Sequence, residues 1–534
     1  MMPCRTAGSK PGRCAPHRLP ALLLGALLAG PVTAQHAAHG PALGKVHMPI
    51  PCSEAAQALF DEGLLHQHSF GHDAATERFR AALQAEPACA MARWGMALAR
   101  LDNLFATPDE GAQAEARALL TDAAIPPAAR NAWIAALADL VAPGRPWPER
   151  LPRFAAAMRD NALANPRDEE AQVFHALALL MAAPADDALA AAQQEAAAIL
   201  EPIWMRQPEH PGVMHYLIHA YDVPALAPRG LPAARRYAAV AADSPHALHM
   251  PSHIFTRLGE WQDSVGANRR SADLARRSGL VNDELHARDY LVYALLQLGR
   301  MRDAQAVWQE AQPLLPRMNR AHLGGPYAAA AMPARLALEA GDWAAAAALP
   351  LVGSDRPEVA ALPRFARAIG LIRSGRTGEA APEIAALRQH EAALRAGSEP
   401  EWAARLAAQA AGASGLARIA QGEVEAGLAE LRAAAEAEEA VPKDVVIPGP
   451  VAPLRELLGE ALLSLGRPAE AEAAFVRVLA SEPKRFRSLA GAAAAAGRPP
   501  LAIARYRLLL AIAGDADADR PEIVAARGVL ATAR

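Results

Sequence analysis

Residues 56–87 read AQALFDEGLLHQHSFGHDAATERFRAALQAEP. Counted from Ala56, Gly63 stands at position 8, Ala75 at 20, Phe79 at 24, Ala82 at 27 and Pro87 at 32. The spacing is steric in origin. Small residues at 8, 20 and 27 let two helices approach closely, the aromatic at 24 fills the space between hairpins, and proline ends the second helix. A second copy lies near the C-terminus, with Gly459, Gly466, Ala471, Phe475, Val478 and Pro483 at positions 8, 15, 20, 24, 27 and 32. Weaker copies carry Gly299, Ala304, Trp308 and Ala311; Gly375 and Ala380; Gly422, Gly427 and Leu431; and Gly497, Ala502 and Tyr506.

The unit resembles the tetratricopeptide repeat, a helix-turn-helix of 34 residues. The chain is thus expected to be all-α, a right-handed solenoid of antiparallel helix pairs. Composition agrees: 52% of its 534 residues are hydrophobic, Ala and Leu dominate, and aromatic residues make up 5%, which favours packed helices over sheets. The grid fades between Leu104 and Glu209 into helical stretches separated by Pro-rich turns. The formal net charge of −3, with no run of Lys or Arg on one helix face, argues against a nucleic-acid partner.

The first 34 residues have the order of a secretory signal peptide: Arg5, Lys10, Arg13 and Arg18, an apolar run from Leu19, then Val32-Thr-Ala34. The expected product is exported, periplasmic in a bacterial cell, and without a membrane span after cleavage. The expected organisation is 1–34 signal peptide, 35–53 flexible tail, 54–440 solenoid, 441–453 Pro-rich linker and 454–534 C-terminal repeats. Cleavage leaves Cys52 and Cys89, 37 residues apart and close to one repeat, so that successive first helices could bring their sulfurs together as a disulfide. In the chain-entropy view such a loop is worth about 3 to 4 kcal/mol; two buried free thiols are the alternative.

Seven of the 17 histidines fall between His210 and His286. With Ala233, Tyr237, Val240 and Pro245 at positions 20, 24, 27 and 32, His215 takes position 2 and His219 position 6 of a first helix. The next unit puts His249 at 5 and His253 at 9, and the one after it His286 at 2, Asp289 at 5 and Tyr293 at 9. The expected binding groove therefore holds His215, His219, His249, His253, His286, Asp289 and Tyr293. The pairs His215/His219 and His249/His253 have the spacing that sets side chains on one helix face. Neutral imidazoles so placed can ligate a divalent transition metal, zinc or copper, with Asp289 as an oxygen ligand or ring-orienting partner. Pro251 leaves the geometry of the second pair open. Two other readings stand beside the metal: histidines satisfied by one another and by backbone, and polar contacts for a small molecule or peptide.

His175 is expected to be a satisfied core residue, His66, His68 and His72 lie several repeats away, and His36, His39 and His47 fall in the tail. There is no H-E-x-x-H, C-x-x-C-H, G-x-S-x-G, P-loop or G-x-G-x-x-G. Nothing specifies a substrate, and catalysis is not the expected role.

The phrases Cys89-Ala-Met-Ala-Arg-Trp94-Gly, His215-Tyr-Leu-Ile-His219-Ala, His246-Ala-Leu-His249-Met-Pro-Ser-His253-Ile and Asp289-Tyr-Leu-Val-Tyr293-Ala resemble those of a bacterial family of exported tetratricopeptide-repeat proteins. The resemblance implies the fold and a histidine set, and no reaction. The expected function is a scaffold that takes a peptide or protein partner in its concave groove. The alternative is a metal-binding protein or metal-dependent enzyme using the histidine cluster.

Overall fold

The structure is a computed structural model that describes residues 42–533 except 104, 122–124, 126–128, 184–188 and 398. The expected signal peptide lies outside the described residues. Among them there are helices and no strand, and none of the helices is long and apolar enough to cross a membrane. Neighbouring helices pack in antiparallel pairs along the chain, Glu54–His68 on His72–Ala85 and Trp261–Ser278 on Val281–Gln297 among them. This is the expected tetratricopeptide-like solenoid.

The repeat grid works through its aromatic. Phe79 lies so close to Gly63 of its own hairpin and Gly95 of the next helix that a β-carbon at either would come within 2.5 or 2.6 Å of the ring. Phe475 repeats the arrangement between Gly459 and Gly491, at 2.9 and 2.5 Å. Position 8 is therefore glycine because the neighbouring ring fills the space a side chain would need. Helix starts follow the usual chemistry: Ser53, Asn131, Asp168, Ser244 and Asp342 each accept a hydrogen bond from a backbone N–H of the first turn.

Cys52 and Cys89 form a disulfide, their Cα atoms 5.6 Å apart. Residues 42–50 do not form the flexible tail expected for 35–53. Leu43, Met48 and Ile50 are buried, and the Lys45 N–H donates to the Glu209 carbonyl. Apolar side chains and open carbonyls at the helix ends hold the segment down.

The array curls until its C-terminal repeats touch its middle. The Trp261 Nε1–H donates to the Lys484 carbonyl at 3.1 Å, Lys484 pairs with Glu260, and the Asp517 N–H donates to the Gly299 carbonyl. Residues 441–453, expected as a linker, break the helices but are not a free tether. The segment runs through turns and bends along the wall of the cavity, with Ile447 and Val451 buried. Its carbonyls are taken by guanidinium and hydroxyl donors of the solenoid: Pro442 by Arg405, Gly449 and Pro450 by Arg335, and Ile447 by Tyr290. Prolines cannot extend a helix, and their carbonyls, lacking intrahelical partners, are free to accept these bonds.

Glu438, just before this segment, accepts the Leu454 N–H at 2.7 Å. Burial pushes its carboxyl up to about 7, against the pull of that hydrogen bond and of Arg405. A carboxyl whose folded pKa is raised favours the folded state below its unfolded value near 4.5 and loses that contribution as pH rises through 7. Glu438→Gln, which keeps an acceptor for Leu454, is therefore expected to raise unfolding free energy by on the order of 3 kcal/mol at pH 8 and by almost nothing at pH 4. Denaturant melts at the two pH values check this, and equal effects at both would refute it.

Candidate functional site

Helix Pro211–Tyr221 starts at His210, whose Nδ1 accepts the Val213 N–H, with Pro211 in the first turn. This sets His215 and His219 one turn apart on the concave side. The backbone then runs through Pro245–His249, Met250 and Pro251–Leu258. Met250 keeps a right-handed helical conformation (φ −51°, ψ −37°), so the Pro251 break bends the path without turning His249 away from His253. Helix Val281–Gln297 adds His286 and Tyr290.

The histidines meet in two groups of three: His215, His219 and His246, then His249, His253 and His286. In the first, the Nε2 atoms of His219 and His246 approach Nε2 of His215 at 3.0 and 3.1 Å. In the second, the Nε2 atoms of His249 and His253 are 3.1 Å apart. Rings of the two groups are neighbours, His219 to His253 at 6.0 Å and His246 to His249 at 6.1 Å between centroids.

The far side of each ring decides which nitrogen carries hydrogen. His215 Nδ1 lies 2.7 Å from the His68 carbonyl, which can only accept. His253 Nδ1 faces a carboxylate oxygen of Asp222 at 3.0 Å. His249 Nδ1 faces Asn268 Oδ1 at 2.7 Å, and the Asn268 amide is oriented by its NH2 donating to the Ser264 carbonyl. All three therefore hold their hydrogen on Nδ1 and present a lone pair at Nε2. Between His249 and His253 two lone pairs face each other at 3.1 Å with no hydrogen between them. At His215 one lone pair faces two further nitrogens and can accept from one at most.

Protonation does not relieve this, because burial drives all six rings toward the neutral form. His215 and His286 fall to about 3, and His219, His246 and His249 lie well below the ordinary range through burial and the neighbouring imidazoles. Burial also lowers His253, although Asp222 opposes it. Nitrogens on one tetrahedral zinc ion are about 3.3 Å apart for Zn–N bonds of about 2.05 Å, close to the spacing here. Aromatic rings enclose the groups. Phe70, at φ 52° in the left-handed region a β-carbon disfavours, lies 4.5 Å from His215 and 5.0 Å from His246, and Tyr290 lies 4.6 Å from His249. A cavity of about 2670 Å³ opens beside the hollow, and His219, His246 and His286 line part of it.

A third group is built differently. Glu170 accepts from Nε2 of both His68 and His210, at 3.0 and 2.5 Å, and His68 Nδ1 meets the Tyr216 hydroxyl at 3.0 Å. Each nitrogen facing the carboxylate carries its hydrogen, so no lone pairs converge. This trio is a hydrogen-bonded staple between helices.

Of the expected groove residues, His215, His219, His249, His253 and His286 come together, and Asp289 and Tyr293 do not join them. Asp289 is held by Arg335 at 2.9 Å. The Tyr293 hydroxyl donates to Glu482 and accepts from Arg485. His246, Tyr290, Asp222 and Asn268 were absent from the expected set. His175 is buried as expected, yet its Nε2 has no hydrogen-bond partner among the described residues. His47, expected in the tail, faces Asp61 at 2.7 Å.

No protein-family model matches the chain, and no curated protein does. Solved structures similar in fold include the following two. Yeast Tom70 is 12% identical with a TM-score of 0.35, over 84% of this chain and 92% of that one. The APC/C hetero-tetramer Cut9-Hcn1 is 12% identical with a TM-score of 0.28, over 90% of this chain and 96% of that one. Likeness at this level says nothing of activity or partner. The fold and the site together define a class: a helical-repeat protein with a buried polyhistidine hollow.

Proposed function

We propose that the chain is an exported scaffold whose concave side is built around a transition-metal site, with zinc or copper as the ion. The observation that carries the reading is the His249–His253 contact, two lone pairs facing each other at 3.1 Å with both Nδ1 hydrogens committed elsewhere. In a dry interior such a contact is repulsive unless a cation lies against it. Imidazole suits both ions, and the Asp222–His253 pairing is the carboxylate–histidine arrangement that orients metal ligands.

Elemental analysis of protein purified without a histidine tag is expected to find stoichiometric metal. Replacing His215 and His253 together by Ala is expected to abolish it. Substoichiometric metal that ignores the substitutions would overturn the reading. Mass spectrometry of the mature form tests export, through the absence of residues 1–34.

A partner peptide or protein is the second reading, favoured by a cavity larger than the roughly 300–1,000 Å³ of small-molecule pockets. The segment 441–453 already covers part of the concave face, so a partner would have to use what it leaves open. A pull-down from periplasmic extract checks this: capture that weakens on substitution of cavity-lining residues such as Arg100 or Arg356 supports it, and capture that ignores them counts against it.

A further inference from the structure

We propose that the hollow is a dinuclear centre: one late first-row ion on His215, His219 and His246, a second beside it on His249, His253 and His286, with a small exogenous anion taken from the cavity between them. The proposal rests on the metal reading above and goes further in stoichiometry, ligand set and the class of small ligand.

Three observations lead to it. Each group of three is complete in itself, with ligand nitrogens all within 4.8 Å of one another. The six do not merge into one group at that spacing among the described residues, and the rings of adjoining groups stand 6.0 and 6.1 Å apart between centroids, which favours one ion per group over one ion for all. Each group also has a ring whose second nitrogen is tied to the protein, His215 to the His68 carbonyl and His253 to Asp222, so each has its own orienting contact.

Charge balance supplies the exogenous ligand. All six ligands are neutral. Among the described residues, the carboxylate that hydrogen-bonds a ring of the two groups is Asp222, and it is already engaged by Arg257 at 2.8 Å and Lys443 at 3.0 Å. Two divalent ions would bring four positive charges against six neutral rings whose one hydrogen-bonded carboxylate, among the described residues, is already paired with two cations, and such charge is not tolerated without compensation. Three imidazoles per ion leave a coordination position open, as sites that bind an outside ligand do. His219, His246 and His286 line the cavity, so both ions would be reached from that side. Copper heads the affinity order for nitrogen ligands.

The test uses the full mature chain, stripped with chelator and dialysed against copper alone. Two ions per chain are expected. His246→Ala and His286→Ala are each expected to hold one; among the described residues neither ring has a hydrogen bond outside the histidine group to lose, and a far-UV helical signal equal to wild type confirms the fold. Electron paramagnetic resonance of the copper(II) form is expected to integrate to well under two spins in the wild type, because neighbouring ions couple. Each variant should give one full spin. Azide is expected to change the wild-type spectrum more than either variant's. One ion per wild-type chain, or two uncoupled spins, would overturn the dinuclear proposal while leaving the metal reading intact. No ion in the wild type would overturn both.

Discussion

Arg485→Ala is expected to destabilise the protein by about 3–5 kcal/mol, the largest loss among single substitutions away from the hollow. Its side chain is 1% exposed. The guanidinium meets Glu456 through Nε and Nη2 at 2.8 and 3.0 Å, Glu339 at 3.4 Å, Glu482 at 3.5 Å and the Tyr293 hydroxyl at 3.3 Å. These partners sit on or beside Val281–Gln297, Gly324–Ala340, Leu454–Ser464 and the end of Pro468–Ser481. One cation thus fastens the middle of the array to its C-terminal repeats where the solenoid closes on itself. Burial alone would raise the Glu456 carboxyl, and Arg485, with Arg487 and the Ser488 hydroxyl, more than offsets it, holding the group below its ordinary range.

Removing the guanidinium leaves two buried acids without their direct counter-ion, and the cost comes from that stranded charge more than from the lost bonds. Lysine cannot replace the planar fork, so Arg485→Lys is expected to recover only part of the loss. Arg485→Met combined with Glu456→Gln should recover more than either alone, since it removes both charges together. Urea unfolding of the set measures these differences. A loss under about 1 kcal/mol for Arg485→Ala would show that the cluster is not what closes the array.

The contrast between what was legible in the sequence and what was not follows from distance along the chain. Gly63, Phe79 and Ala82 could be read because they act on one another within a hairpin, and the sterics of a β-carbon against a ring are the same in every copy. His215 with His219, and His249 with His253, were legible because their spacing puts them on one face. Register also carried His286 into the same hollow. It failed for Asp289 and Tyr293, because register says which side of a helix a residue faces and not what arrives opposite. Arg335 comes from 46 residues further on and Arg485 from 192.

His246 was hidden by Pro251. The spacing 246, 249, 253 follows one helix face, but only if the path stays helical through Met250, as it does here. The segment 441–453 was read as a linker from its prolines. Its role as an inner wall depends on donors from Arg335, Arg405 and Tyr290, which no local pattern announces.

Asp222→Asn is expected to lower metal affinity by 10- to 100-fold and to destabilise the apo-protein by about 3–5 kcal/mol, two effects with separate causes. Asp222 follows helix Pro211–Tyr221 and accepts from three side chains: His253 Nδ1 at 3.0 Å, Arg257 Nε at 2.8 Å and Lys443 Nζ at 3.0 Å. Burial would raise its carboxyl, but Lys443, Arg257 and His253 outweigh it and hold the group well below the ordinary carboxylate range. The carboxylate therefore neutralises two buried cations, one of them on the segment that crosses the concave side. The stability loss comes from those cations left without a counter-charge.

The affinity loss comes from the imidazole. A carboxylate can only accept, so it fixes the His253 hydrogen on Nδ1 and the lone pair on Nε2. An asparagine can turn its NH2 toward Nδ1, which moves the ring hydrogen to the nitrogen that should bind metal. Lys443→Met separates the two effects. It removes the tie to residues 441–453 and leaves the Asp222–His253 pair, so stability should fall while copper or zinc affinity changes by only a few-fold. Isothermal titration with each metal, beside denaturant unfolding of the apo-proteins, gives both quantities. Equal affinity for Asp222→Asn and wild type would show that His253 needs no carboxylate to hold its tautomer. An equal affinity loss in Lys443→Met would mean that the crossing segment, and not the hydrogen on Nδ1, shapes the site.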